Sequence, residues 1–175
     1  VDASGGTDTE GNPCGVGKYD PVDDVEFLER EINFWLMGII KKGWEDVARR
    51  CELEEKKIES MLAEKLTGLG IKEEHIHDAI RKINLDTVKP SRWTDDEILK
   101  LSDYIKKVSK PMLIAFNKCD IAPDNLLPKA EDIGKKGYVV VPTSAESELA
   151  LKNAEKKGLI EYKPGSDKFI ISKGS

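Results

Sequence analysis

From Asp23 to Val108 the apolar residues recur every three or four positions; at Pro111 that pattern stops and short continuous apolar runs replace it. A three-to-four spacing marks one face of a helix, whereas a short apolar run bounded by turn residues marks a strand buried on both faces. A chain that uses the two patterns in separate blocks folds as a helical unit joined to an α/β unit.

Within the helical block, Val25, Leu28, Ile32, Trp35 and Ile39 fall on one face, and Gly43 interrupts before Trp44 and Val47 continue it. A second helix carries Ile58, Met61, Leu62 and Leu66 and ends at Gly68 and Gly70. A third, over about 72–84, turns Ile76, Ala79, Ile80 and Ile83 inward. The fourth has the sharpest start: Thr94 and Glu97 form a capping box, with Trp93 and Ile98 at the hydrophobic staple positions. Its inner face reads Ile98, Leu101, Ile105, Val108.

Beyond Pro111 the order is strand ("PMLIAF"), irregular helix ("NLLPKAEDIGKKG", with Pro128 near its start), strand ("YVVVP") and a helix from Ser144 to about 156, closed by Gly158. Alternation of this kind predicts a parallel sheet, with residues 111–116 and 138–141 as neighbouring strands. "LIEYKPGSDKFIIS" predicts a hairpin turning at Pro164-Gly165, a pair suited to the middle of a type II turn. The segments are then 1–22, the end of a strand and a loop; 23–108, helical; 109–157, α/β; and 158–175, the hairpin.

"GNPCGVGKYD", residues 11–20, imitates the phosphate-binding loop G-x-x-x-x-G-K-[ST]. With Gly17 and Lys18 in register, the pattern wants Gly where Asn12 stands and a hydroxyl where Tyr19 stands. Asp20-Pro21 also reads as a break where the following helix should begin. The stretch is a loop and not a phosphate cradle.

Composition narrows the function classes. A net charge of −5 argues against a broad nucleic-acid-binding face, and no apolar run reaches membrane-spanning length. Cys14, Cys51 and Cys119 are scattered and odd in number, which fits reduced thiols in the cytoplasm. The absence of Gln beside abundant Lys and Glu leans towards a thermophilic source. His75 and His77 stand two apart on a helix and point in different directions, so no metal site is read from them. Trp35, Trp44 and Trp93 read as helix packing, Cys119 as a small filler, and the lysines of the helical block as a solvated face.

Ligands of parallel sheets bind beyond the carboxyl ends of the strands. There this chain places Asn117-Lys118-Cys119-Asp120 after one strand and Pro142-Thr143-Ser144-Ala145 after the next. An ionised Asp120 can accept from two adjacent donors, which guanine offers as N1–H and N2–H₂ and adenine does not. The stem of Lys118 can lie across a purine face while its ammonium stays wet. Asn117 can donate to N7 or tie neighbouring loops together. The Ala145 N–H is a candidate donor to guanine O6, and its small side chain lets the base approach.

"NKCD" resembles the N-K-x-D base-specificity motif of P-loop GTPases, and "TSA" resembles their S-A motif on the following strand. More widely, "VDASGGTDTEGN" with "YDPVDDVEFLEREINFW", and "PTSAESELALKNAEKKGLIEYKPGSDKFII", resemble the Obg-like (YchF-type) branch, especially its archaeal and fungal members. The resemblance covers nearly the whole chain. It implies a partial P-loop GTPase domain of α/β class, with a mostly helical insertion and a C-terminal β-hairpin. It implies guanine binding through Asn117, Lys118, Asp120, Ser144 and Ala145, with GTP or GDP as ligand. The family's phosphate loop, switch region and D-x-x-G motif would lie before Val1. On that reading Mg²⁺ and hydrolysis belong to upstream residues, and the isolated chain is expected to be inactive, with no catalytic residue of its own. It should also expose an apolar sheet edge that pairs with the N-terminal half of its own G domain. The resemblance further suggests a ribosome or RNA partner, which no residue here shows, and gives Asp2 and Asp8 no firm role. The competing expectation is a helical protein-interaction module with a degenerate nucleotide fold and no turnover.

Overall fold

The computed structural model describes residues 1–172 and divides into two compact units, Leu28–Pro111 and a second made of Val1–Phe27 with the chain from Met112 onward. The division falls within helix α1, Pro21–Lys41. Asp20 caps this helix by accepting the Val22 N–H at 3.0 Å. Pro21 therefore begins the helix and does not break the chain, because a first-turn residue needs no N–H donor.

The α1 face also departs from the sequence expectation. Leu36 and Ile40 are buried in the helical unit, whereas Leu28 is 46% and Trp35 56% exposed. Val25 belongs instead to the core of the other unit. At about 100° per residue Val25, Leu36 and Ile40 fall within about 60° of one another, and Leu36 and Ile40 each stand one residue after Trp35 and Ile39 of the expected stripe.

The helical unit continues with α2, Trp44–Glu54, entered through Gly43 at φ 70°. Then come α3, Ile58–Leu66, α4, Glu73–Ile83, and α5, Asp95–Ser109. A single 3₁₀ turn at Thr67–Leu69 follows α3, and Asn84 at φ 57° closes α4. The capping box forms as expected. Thr94 Oγ1 accepts the Glu97 N–H at 3.3 Å, and Glu97 Oε2 accepts the Thr94 N–H at 2.8 Å. Trp93 and Ile98 are both buried beside it. Trp44 and Trp93 stack with centroids 5.2 Å apart, and Trp93 Nε1 donates to the Asp86 carbonyl at 2.7 Å. Leu62, Leu66, Ile76, Leu101 and Ile105 are sealed from solvent. Val108 is exposed, contrary to the expected face. Ser102 and Lys106 are buried on α5 in its place, the lysine held by Glu29 at 3.4 Å and Asp103 at 3.5 Å.

In the α/β unit, β1 (Leu113–Phe116) runs parallel to β2 (Val139–Pro142), with Leu113 opposite Val139 and Phe116 opposite Pro142. Helix α6, Lys129–Lys135, makes the crossover, and α7, Ala145–Lys156, follows β2. The opening residues extend the sheet: Asp2 bridges Asn117 in parallel, with Ala3 N–H on the Asn117 carbonyl at 2.7 Å. Neither strand is covered on both faces. Ile114 and Phe116 are buried, but Leu113 is 60% and Val139 62% exposed. Hairpin β3 (Ile160–Tyr162) and β4 (Phe169–Ile171) is antiparallel. Gly165 at φ 79° and the Ser166 N–H on the Lys163 carbonyl at 2.9 Å give the type II turn expected at Pro164-Gly165. Among the described residues no helix is long and apolar enough to cross a membrane.

Candidate functional site

Parallel pairing of β1 and β2 brings their carboxyl ends side by side, and the loops after them are bonded to each other. The Thr143 N–H donates to the Phe116 carbonyl at 2.9 Å, and the Cys119 N–H donates to the Thr143 carbonyl at 3.1 Å. The five residues singled out from sequence therefore share one end of the sheet.

Asn117 is the tie between the loops. Its Oδ1 accepts the Ala145 N–H at 3.0 Å and the Thr143 hydroxyl at 3.4 Å. Of the two roles open to this amide, tying the loops is the one the structure adopts. The Ala145 N–H is thereby engaged within the protein, whereas the sequence predicts it as a donor to guanine O6. The Asn117 amide NH₂ has no partner among the described residues and remains a free donor. Ser144 caps α7 by accepting the Ser147 N–H at 3.1 Å, so its hydroxyl orders the start of the helix.

Asp120 is exposed, and its carboxylate has no hydrogen bond or ion pair among the described residues. A carboxylate left open at a strand tip can accept two donors from a ligand. Cys119 packs inward, its Sγ donating to the Phe116 carbonyl at 3.0 Å, as a small filler would. A cavity of about 780 Å³ is lined by Asn117, Ser144 and Ala145 together with Ala115, Val141 and Tyr162. Lys118 and Asp120 lie outside that lining.

Lys118 adopts φ 66°, a left-handed conformation uncommon for a residue with a side chain. Its ammonium meets Asp2 Oδ2 at 2.6 Å. Asp2 is the site residue to which sequence reasoning assigned no role. Its Oδ1 accepts the Ser4 N–H at 3.0 Å and the Ser4 hydroxyl at 2.6 Å, and its Oδ2 also accepts the Thr7 hydroxyl at 2.9 Å. Burial alone would raise this carboxyl; hydrogen bonds from Lys118, Ser4 and Thr7 outweigh it and bring the pKa down to about 2. Ser4 and Thr7 stand close to Asp2 in the chain, but nothing local pointed to the lysine.

The glycine-rich stretch turns its donors on the chain itself. The N–H groups of Gly17, Lys18 and Tyr19 all donate to the carbonyls of Ser4 or Gly5. Gly5, at φ 57°, has the Tyr19 carbonyl oxygen 2.2 Å from where a Cβ would stand, so only glycine admits this closure. Asp8 accepts the Glu10 and Asn12 N–H groups and shapes the same loop. His75 Nδ1 accepts the Lys72 N–H at the start of α4, and His77 Nδ1 lies 3.6 Å from Glu59. Among the described residues, no three His, Cys, Asp or Glu side chains gather as a metal site.

Residues 115–175 match the profile of the Obg-like GTPase YGR210-like, G4 motif-containing domain. An uncharacterized GTP-binding protein of Methanocaldococcus jannaschii is 45% identical over 172 residues, which is 97% of this chain and 42% of the relative. A second, from Schizosaccharomyces pombe, is 30% identical over 95% of this chain and 40% of its own length. The crystal structure of a GTP binding protein from Pyrococcus horikoshii OT3 superposes with a TM-score of 0.83 at 46% identity, over 93% of this chain and 46% of that one. The chain thus spans less than half the length of the relatives it matches.

Proposed function

We propose that this chain is the base-reading part of an Obg-like GTPase and binds the guanine of GTP or GDP at the joined tips of β1 and β2. The observation that carries the proposal is the contrast between two carboxylates at that end of the sheet. All the acceptor positions of Asp2 are filled from within the protein, while Asp120 is exposed and bonded to nothing among the described residues. On this reading Asp120 takes guanine N1–H and N2–H₂, and the free Asn117 amide donates to N7. Lys118 lies along the base. Ser144 and Ala145 fix the wall of the site by starting α7 and by engaging Asn117.

The names of the relatives support guanine-nucleotide binding. Hydrolysis and Mg²⁺ binding belong, in this proposal, to residues outside this chain. Among the described residues no three His, Cys, Asp or Glu side chains form a cluster suited to a metal. The complete protein is proposed to be a cytoplasmic GTPase, with the ribosome or RNA as the partner class suggested by its resemblance.

The decisive experiment is Asp120→Asn in the longer protein, titrated with guanine and xanthine nucleotides. The substitution removes the charge and presents an NH₂ to a base that also donates. Charge-assisted bonds contribute about 1.5–3 kcal/mol each, so GTP affinity should fall by about two to four orders of magnitude. Xanthosine triphosphate, with an oxygen at C2, should bind the variant more tightly than it binds the parent. Unchanged GTP affinity in the variant would remove Asp120 from the site.

A further inference from the structure

We infer that Asp2 is a positioning residue for nucleotide binding: it holds the Lys118 ammonium so that the lysine stem stands ready as a platform for the base. The inference rests on the guanine-site reading above and adds to it a residue from the other end of the chain.

Three observations converge on it. The Asp2 side chain is only 8% exposed, whereas that of Lys118 is 43% exposed, so the anchor is enclosed while much of the lysine side chain stays open. The anchor is itself fixed, because Ser4 and Thr7 occupy the acceptor positions that Lys118 leaves, and the Asp2–Asn117 bridge sets the backbone beside the motif. Lys118 has a left-handed backbone at φ 66°, its ammonium is bonded to Asp2, and Asp120 two residues on has no bonded partner among the described residues.

A free lysine loses much rotamer freedom when a ligand fixes it. A lysine already tied to Asp2 has lost most of that freedom before the nucleotide arrives, and preorganisation of this kind appears as affinity. The charge of the pair does not read the base, so its loss should weaken guanine and xanthine nucleotides alike. That separates Asp2 from Asp120, whose substitution exchanges one base for the other.

The test is a double-mutant cycle in the longer protein, with GDP and xanthosine diphosphate affinities measured by titration. Asp2→Asn should weaken GDP by about tenfold and leave the ratio of the two affinities unchanged. In a Lys118→Met background the same substitution should change GDP affinity by less than about twofold, because the group it acts through is gone. Asp2→Glu, which keeps the charge, should recover part of the loss. Thr7→Val removes one bond from Asp2 Oδ2 and leaves its carboxylate; it should weaken GDP by about two- to threefold. If Asp2→Asn does not fold, the cycle is run with Thr7→Val instead. An effect that persists in full without Lys118 makes Asp2 a purely structural residue and overturns the inference. So does unchanged GDP affinity in Asp2→Asn. If the parent protein binds neither nucleotide, the guanine-site reading itself falls, a result distinct from failure of the cycle.

Discussion

The two units bury their apolar residues very differently. In Leu28–Pro111 one continuous cluster runs from Leu36 through Trp44, Leu62 and Ile76 to Leu101 and Ile105, with a second shell of partly buried residues around it. In the α/β unit the buried cluster is Ala3, Val25, Ile114, Phe116 and Ile133, while Leu113, Val139, Val141, Phe169, Ile170 and Ile171 are exposed. The helical unit therefore contains its own reason to fold, and the α/β unit holds its shape to a greater extent by backbone pairing and by polar ties at the strand tips. The lesson is that the site sits in the unit with less hydrophobic reserve, so polar ties such as Asn117–Ala145 and Asp2–Lys118 count for more there.

Base recognition carries the largest expected effect, the loss of GTP affinity in Asp120→Asn, followed by the milder loss in Asp2→Asn. Both should leave the unfolding of the helical unit unchanged, which sharpens the division between the units. Next comes Leu101→Ala, which empties a fully buried position of the helical core. It should cost about 2–5 kcal/mol of that unit's stability in urea unfolding followed by α-helical circular dichroism. A loss below about 1 kcal/mol would mean the core is looser than its burial implies. The smallest effect is expected for Val139→Thr on the open side of β2, at 62% exposure. It should change the stability of this chain by less than about 0.5 kcal/mol. A larger loss would show that something covers this face and would break the contrast.

Features set by neighbours in sequence were readable before the fold was known. The Thr94–Glu97 box, the Pro164-Gly165 turn and the parallel pairing of the two apolar runs belong here, because each needs only a few adjacent residues or one repeated pattern. The gathering of Asn117, Lys118, Asp120, Ser144 and Ala145 at one end of the sheet follows from that pairing. What the sequence obscured depends on distant partners. Trp35 keeps helical spacing with Ile32 and Ile39, yet the packing of α1 turns it to solvent. Val139 looks like a buried-strand residue, but burial depends on what packs over a strand and not on the strand itself. Asp20-Pro21 was a local signal misread: an aspartate followed by proline starts a helix as well as it stops one.

The bond from Lys118 to Asp2 joins residues 116 positions apart, and the whole helical unit lies in the chain between them. This has a consequence in time. Closing so long a loop carries an entropy cost that grows with the logarithm of its length, and distant pairings form slowly. The helices inside the loop meet mainly through contacts between successive elements, α3 with α4 and α4 with α5, and can form first. Once folded they shorten the effective span that Asp2 and Lys118 must close. The end of the sheet that carries Asp2 and Lys118 is then the last part of the chain to be completed. Pulse-labelled hydrogen exchange during refolding should show α5 amides protected before the Asn117 amide, and the reverse order would refute this sequence of events.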